Sequence, residues 1–89
     1  YLTPAQGKLF KAFIVNWGQV LSHRELASIA YGQEVDEFEA PEILRPIISR
    51  LRKRLAVFDG AEKWIKTIRG TGYVFETPFP PERINENAP

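Results

Sequence analysis

Between residues 42 and 57 the apolar side chains Leu44, Ile47, Ile48, Leu51 and Leu55 recur at spacings of three, one, three and four. At about 100° per residue they form a stripe about 100° wide, which a helix buries against its neighbours. The opposite arc carries Arg45, Ser49, Arg50, Arg52 and Lys53, with Arg54 at its border and no acid between 45 and 54. Such a helix leans one face on its own domain and offers a cationic face outward. The spacing predicts a helix over 42–57, stopped by Asp59-Gly60. Pro46 disturbs this pattern. It has no amide hydrogen, its ring opposes the Glu42 carbonyl at a cost of roughly 3 kcal/mol, and it pushes Arg45 away from helical angles. The expectation is a kink at Pro46, or a regular helix beginning at Pro46 after a separate turn at 41–45.

Two shorter helices precede it. Thr3, Pro4 and Gln6 read as a cap, a first helical residue and the far side of a capping box, with Leu9, Phe10, Phe13 and Ile14 on one face. Asn16-Trp17-Gly18 ends this helix, expected over 4–16. Ser22 and Glu25 form a second box, and Leu26, Ile29 and Ala30 a second stripe, so a helix is expected over 23–31. The short connector makes the two a helix-turn-helix pair. Residues 32–40 are acidic, without periodicity, and read as a loop.

After residue 60 the period changes. Lys63–Arg69 contains Trp64, Ile65, Thr67 and Ile68, and Tyr73–Phe75 is a second run of strand-favouring residues. Gly70-Thr71-Gly72 between them reads as a tight turn, so a β-hairpin follows the three helices. Four of the seven prolines lie in 77–89, which reads as an extended tail or linker. The fold class is thus mainly α with a C-terminal β-hairpin, a winged helix-turn-helix domain over 1–76.

Composition removes most other functions. The chain has 89 residues, 44% of them hydrophobic, with six Phe, three Tyr and two Trp, enough for one core. It has no Cys, and His23 is its single histidine, so disulfides, thiolate zinc sites and multi-histidine metal sites are excluded. Neither a metal nor another cofactor is expected. Catalysis by Ser22 or Ser28 lacks an orienting base and acid, so the chain is not read as an enzyme. No apolar run approaches the ~18 residues of a membrane span, and the first residues are no signal peptide, so no membrane contact and a cytoplasmic location are expected. A chain that starts at Tyr1 and contains no Met is expected to be a piece of something longer. The net charge is only +1, but the charges are segregated. Glu34, Asp36, Glu37, Glu39 and Glu42 cluster in one stretch, whereas residues 43–75 hold eight bases against Asp59 and Glu62. A concentrated positive surface suits nucleic acid even in a nearly neutral chain.

The major groove of B-DNA is about 12 Å wide and admits one α-helix. Arg69 at a hairpin tip suits a backbone or minor groove, where arginine is electrostatically favoured. Leu2-Thr3-Pro4, the stretch from Gly18 to Leu26, Ile48-Ser49-Arg50-Leu51-Arg52-Lys53-Arg54-Leu55 and Thr67-Ile68-Arg69-Gly70-Thr71-Gly72-Tyr73 resemble the OmpR/PhoB family of bacterial response-regulator effector domains. The resemblance spans residues 2–76. It implies sequence-specific binding of double-stranded DNA, with the third helix in the major groove and the wing arginine in the minor groove. By the same resemblance Arg50 maps to a base-reading position, Ser49 and Arg52 to neighbouring contacts, Arg69 to the wing arginine, and Thr67 and Tyr73 to wing positions that contact phosphate. It also implies contact with RNA polymerase through loop 32–40 and pairing of protomers on direct-repeat DNA.

The chain departs from the family pattern in places. It begins too late for the small sheet that usually precedes the first helix, so that sheet is expected to be absent or truncated. Glu42 stands where an arginine is common and would repel phosphate, so Arg45, one turn on, is expected to replace that anchor, with Lys53 a further contact. Simpler readings stand beside these. Arg54 is equally placed to pair with an acid of its own domain, Thr67 and Tyr73 to be strand and core residues, and Trp17 and Trp64 to be packing residues. His23 is expected to face solvent. The alternative function is a winged-helix module that binds protein through the acidic loop and the exposed helix, and a second is RNA binding.

Overall fold

Each of the first two helices starts on a reciprocal cap. The computed structural model describes residues 2–78. Helix α1 spans Pro4–Val15, and at its start the Gln6 N–H donates to Thr3 Oγ1 (3.2 Å) while the Thr3 N–H donates to Gln6 Oε1 (3.4 Å). Helix α2 spans His23–Tyr31, where the Glu25 N–H donates to Ser22 Oγ (3.0 Å) and the Ser22 N–H to Glu25 Oε1 (2.9 Å). Both boxes fall where the sequence puts them. Between them lies an element that the sequence reading omits, a three-residue strand β1 at Val20–Ser22. Three residues are too few to show an alternation; only pairing with a distant partner makes this segment a strand.

Helix α3 runs without interruption from Ala40 to Leu55, two residues earlier at each end than the periodicity suggests. The early start follows from Asp36, whose side chain accepts the Phe38 N–H (3.0 Å) and whose carbonyl accepts the N–H groups of Glu39 and Ala40 (3.0 and 2.9 Å). That turn delivers the chain to Pro41 in helical register. Leu55 is the last buried residue of the stripe; Val57 and Phe58 lie exposed beyond it, in a turn closed by the Phe58 N–H on the Leu55 carbonyl (2.9 Å). A separate turn at 41–45 is therefore absent, and Pro46 sits inside the helix. Pro46 and Glu42 are both exposed.

After a short 3₁₀ turn at Ala61–Trp64 come strands β2 (Ile65–Ile68) and β3 (Gly72–Phe75). Lys63 and Trp64, read as strand from sequence, belong to that turn. The sheet order is β1-β3-β2, antiparallel throughout. Gly70 takes the positive φ (+77°) of the hairpin turn, but Gly72 belongs to β3 and serves a different need, the close approach of β1.

The core joins Leu9 and Phe13 of α1, Leu26 of α2, Leu44, Ile48 and Leu51 of α3, and Ile65 of β2. Phe75 gathers the aromatic packing, meeting Phe10 and Trp64 edge-on and stacking on Phe13 at centroid distances of 5.7, 6.2 and 6.0 Å. Trp17 and Trp64 are partly buried against this core, and the Trp17 indole N–H donates to Thr77 Oγ1 (3.1 Å). The expected tail over 77–89 lies, from residue 79 on, outside the described residues.

Candidate nucleic-acid interface

With Leu44, Ile48, Leu51 and Leu55 buried, α3 turns Glu42, Arg45, Pro46, Ser49, Arg50, Lys53 and Arg54 outward. At a rise of about 1.5 Å per residue this face lies along a rod about 24 Å long. Among the described residues the ion pair is Lys66 Nζ with Glu76 Oε1 (2.9 Å), and no cation of α3 takes part in one. Holding like charges together without counter-charges costs folding energy, so the arrangement favours an external polyanion.

The expected site residues fall into two groups. Arg45, Ser49, Arg50 and Lys53 share the exposed side of α3, and Arg69 is exposed in the β2–β3 turn. Arg52 is instead drawn from α3 onto Thr67 and Tyr73 of the sheet, where Tyr73 is buried and Thr67 stays exposed. Arg52 is half-buried; its Nε and Nη2 donate to the Ile65 carbonyl (3.2 and 2.7 Å), and Nη2 also to Thr67 Oγ1 (3.0 Å). The guanidinium carbon lies 5.7 Å from the centroid of the Tyr73 ring. Tyr73 is only 7% exposed, and its ring meets His23 edge-on at 5.7 Å. His23 is half-buried there, rather than facing solvent, and its backbone N–H donates to the Thr71 carbonyl (3.0 Å). The wing turn is thereby tied to the start of α2.

Sequence reasoning left Arg54 undecided between an internal ion pair and the outer face. It lines a cleft of about 450 Å³ between the start of α1 and the flank of α3, together with Thr3, Arg50 and Lys53. Three cations on one cleft wall widen the basic face towards α1. The signal was present in the border position of Arg54, but which neighbour stood opposite depended on how α1 packs.

Among the described residues, no three His, Cys, Asp or Glu side chains are grouped so as to hold a metal ion, and no helix is long and apolar enough to cross a membrane. The loop before α3 leaves Phe38 82% exposed among Glu34, Asp36, Glu37 and Glu39, while Val35 anchors it to the core.

Comparison with known proteins agrees with this architecture. The chain is 33% identical over 81 residues to the transcriptional regulatory protein GltR of Pseudomonas aeruginosa, an alignment covering 91% of this chain and 33% of GltR. It thus spans about a third of the length of that relative. Its fold is similar to the C-terminal domain of the nisin resistance regulator NsrR, a lantibiotic response regulator, with a TM-score of 0.66 and 26% identity over 88% of this chain and 76% of that one. Residues 1–75 match the family described as transcriptional regulatory protein, C terminal. Basic helix, hairpin wing and family match agree: the chain belongs to the OmpR/PhoB-type C-terminal effector domains of transcriptional regulators, a DNA-binding and not an enzymatic family.

Proposed function

We propose that this chain binds double-stranded DNA sequence-specifically, with α3 in the major groove and the β2–β3 turn at the flanking minor groove. The observation that carries the reading is the outward row of Arg45, Ser49, Arg50 and Lys53, opposite the buried stripe and unpaired with any acid among the described residues. Phosphate contacts from the lysine and arginines supply affinity, and Ser49 and Arg50 supply base choice. Arg69 enters the minor groove. A single domain of this kind buries about 600–1,000 Å² on DNA, so one copy binds weakly and two copies on adjacent sites bind usefully. By the likeness to GltR and NsrR, the domain acts as the output end of a response regulator in the bacterial cytoplasm.

The deciding experiment is selection of bound duplexes from a random pool, followed by affinity measurements across a salt series. The expected result is a preferred sequence, a steep loss of affinity with salt, and loss of that preference in Arg50→Ala. Unchanged binding in both Arg50→Ala and Arg69→Ala would overturn the assignment.

A protein contact accompanies the DNA contact in this reading, because Phe38 is exposed among the acids of the loop before α3. RNA polymerase is the proposed partner of loop 32–40. If this contact were the main function, as in a protein-binding winged helix, DNA binding would be weak and blind to sequence, while Phe38→Asp would abolish the tight partner.

A further inference from the structure

β2 is an edge strand, and one side chain of α3 bonds to its open edge. The Glu76 N–H donates to the Trp64 carbonyl (2.9 Å), and the register continues by pairing Lys66 with Val74 and Ile68 with Gly72. Antiparallel ladders bond alternate residues, so Ile65 and Thr67 turn their backbone groups away from β3. Arg52 meets the Ile65 carbonyl there with two donors and extends one of them to the Thr67 hydroxyl. A charged donor shared between a backbone carbonyl and a side-chain oxygen is stronger than a neutral bond, and the planar fork fixes its direction. The Tyr73 ring lies under the same guanidinium. On the other side of β3, the bond from His23 to the Thr71 carbonyl holds the turn to α2. The wing is braced from both sides; towards α3, Arg52 adds hydrogen bonds to the apolar packing of Ile65 against the helix.

We propose that Arg52 is a positioning residue for DNA binding, holding the wing at a fixed angle to α3 so that Arg69 meets the groove beside the one α3 occupies. The inference rests on the DNA-binding reading above. A wing held before binding does not have to be ordered during it, so the Arg69 contact keeps its full worth. The rival role is a direct contact of Arg52 with a phosphate. The two differ in coupling: a brace makes the contribution of Arg69 depend on Arg52, and a separate phosphate contact does not.

The test uses a duplex selected from the random pool and a double-mutant cycle of Arg52→Met with Arg69→Ala, with folding checked by the thermal transition. Arg69→Ala is expected to weaken binding about tenfold in the wild type, and less than about threefold in the Arg52→Met background. Arg52→Lys keeps the charge but cannot span Ile65 and Thr67 with one fork, so it does not restore affinity. In the free protein, amide exchange over residues 66–71 is expected to quicken about tenfold in Arg52→Met, a local opening against an intact core. If Arg52→Met fails to fold, Thr67→Val removes one acceptor from outside the helix and is expected to show the same coupling in smaller measure. Additive penalties, a salt slope lower by about one, and recovery in Arg52→Lys would together mean a phosphate contact and overturn the proposal. Unchanged exchange in the wing would overturn it as well. A wild-type protein with no salt-dependent, sequence-preferring binding fails earlier, and removes the DNA reading itself along with this role.

Discussion

Gly72 in β3 lies against Leu21 in β1 so closely that a Cβ on Gly72 would come within 1.9 Å of the Leu21 carbonyl oxygen and 2.9 Å of its carbon. Neither atom is the end of a flexible side chain, so only separation of the strands would admit a methyl group. Gly72→Ala is expected to lower stability by about 2–3 kcal/mol or more, through lost pairing of β1 with β3. Denaturant unfolding measures this directly, and a wild-type midpoint in the variant would mean that the two strands do not pair as described.

Pro46 lies in mid-helix with its side chain exposed, so it costs α3 a hydrogen bond and contributes no burial. Pro46→Ala is expected to raise stability by about 1–3 kcal/mol, because it restores the missing amide and removes the ring that opposes the Glu42 carbonyl. For a domain of this size that corresponds to a thermal midpoint higher by at least about 4 °C. A lower midpoint would mean that the proline holds a bend on which the packing depends.

Ser22 ends β1 and caps α2 in the same residue. Ser22→Ala removes the oxygen that accepts the Glu25 N–H, leaving a first-turn donor to water at a cost of about 1 kcal/mol. Ser22→Asp keeps an acceptor there and is expected to recover most of the loss. Calorimetry of the two variants side by side checks the cap, and equal losses in both would argue against it.

Arg45 and Lys53 are exposed and ion-paired to no acid among the described residues. Their replacement by Ala is expected to shift unfolding by less than about 0.5 kcal/mol. Each replacement should nevertheless lower the salt slope of DNA binding by about 0.9, the signature of one lost phosphate contact. A slope that stays the same in both variants would remove these two residues from the interface.

How much of this was legible beforehand depends on the range of the forces involved. The caps at Thr3 and Ser22, the stripe of α3 and its cationic opposite face are local: each follows from residues within about one helical turn of one another, so spacing alone reveals them. The spacing sets the end of α3 by the stop at Asp59-Gly60, but the helix ends at Leu55, the last residue of the stripe, and a turn closed by the Phe58 N–H fills the interval. The start of α3 was misjudged because the Asp36 turn acts ahead of the first periodic residue.

For the site the division is similar. Chain order alone determined that one helix carries the arginines and that a hairpin with Arg69 follows it, because period and charge are written along the sequence. Only the tertiary structure decided that Arg52, Thr67 and Tyr73 close on one another while Arg45, Arg50 and Lys53 stay open. That choice depends on the edge of β2 coming to rest beside one flank of α3, across 13 to 21 residues of chain, and no periodicity records which flank a distant strand will meet.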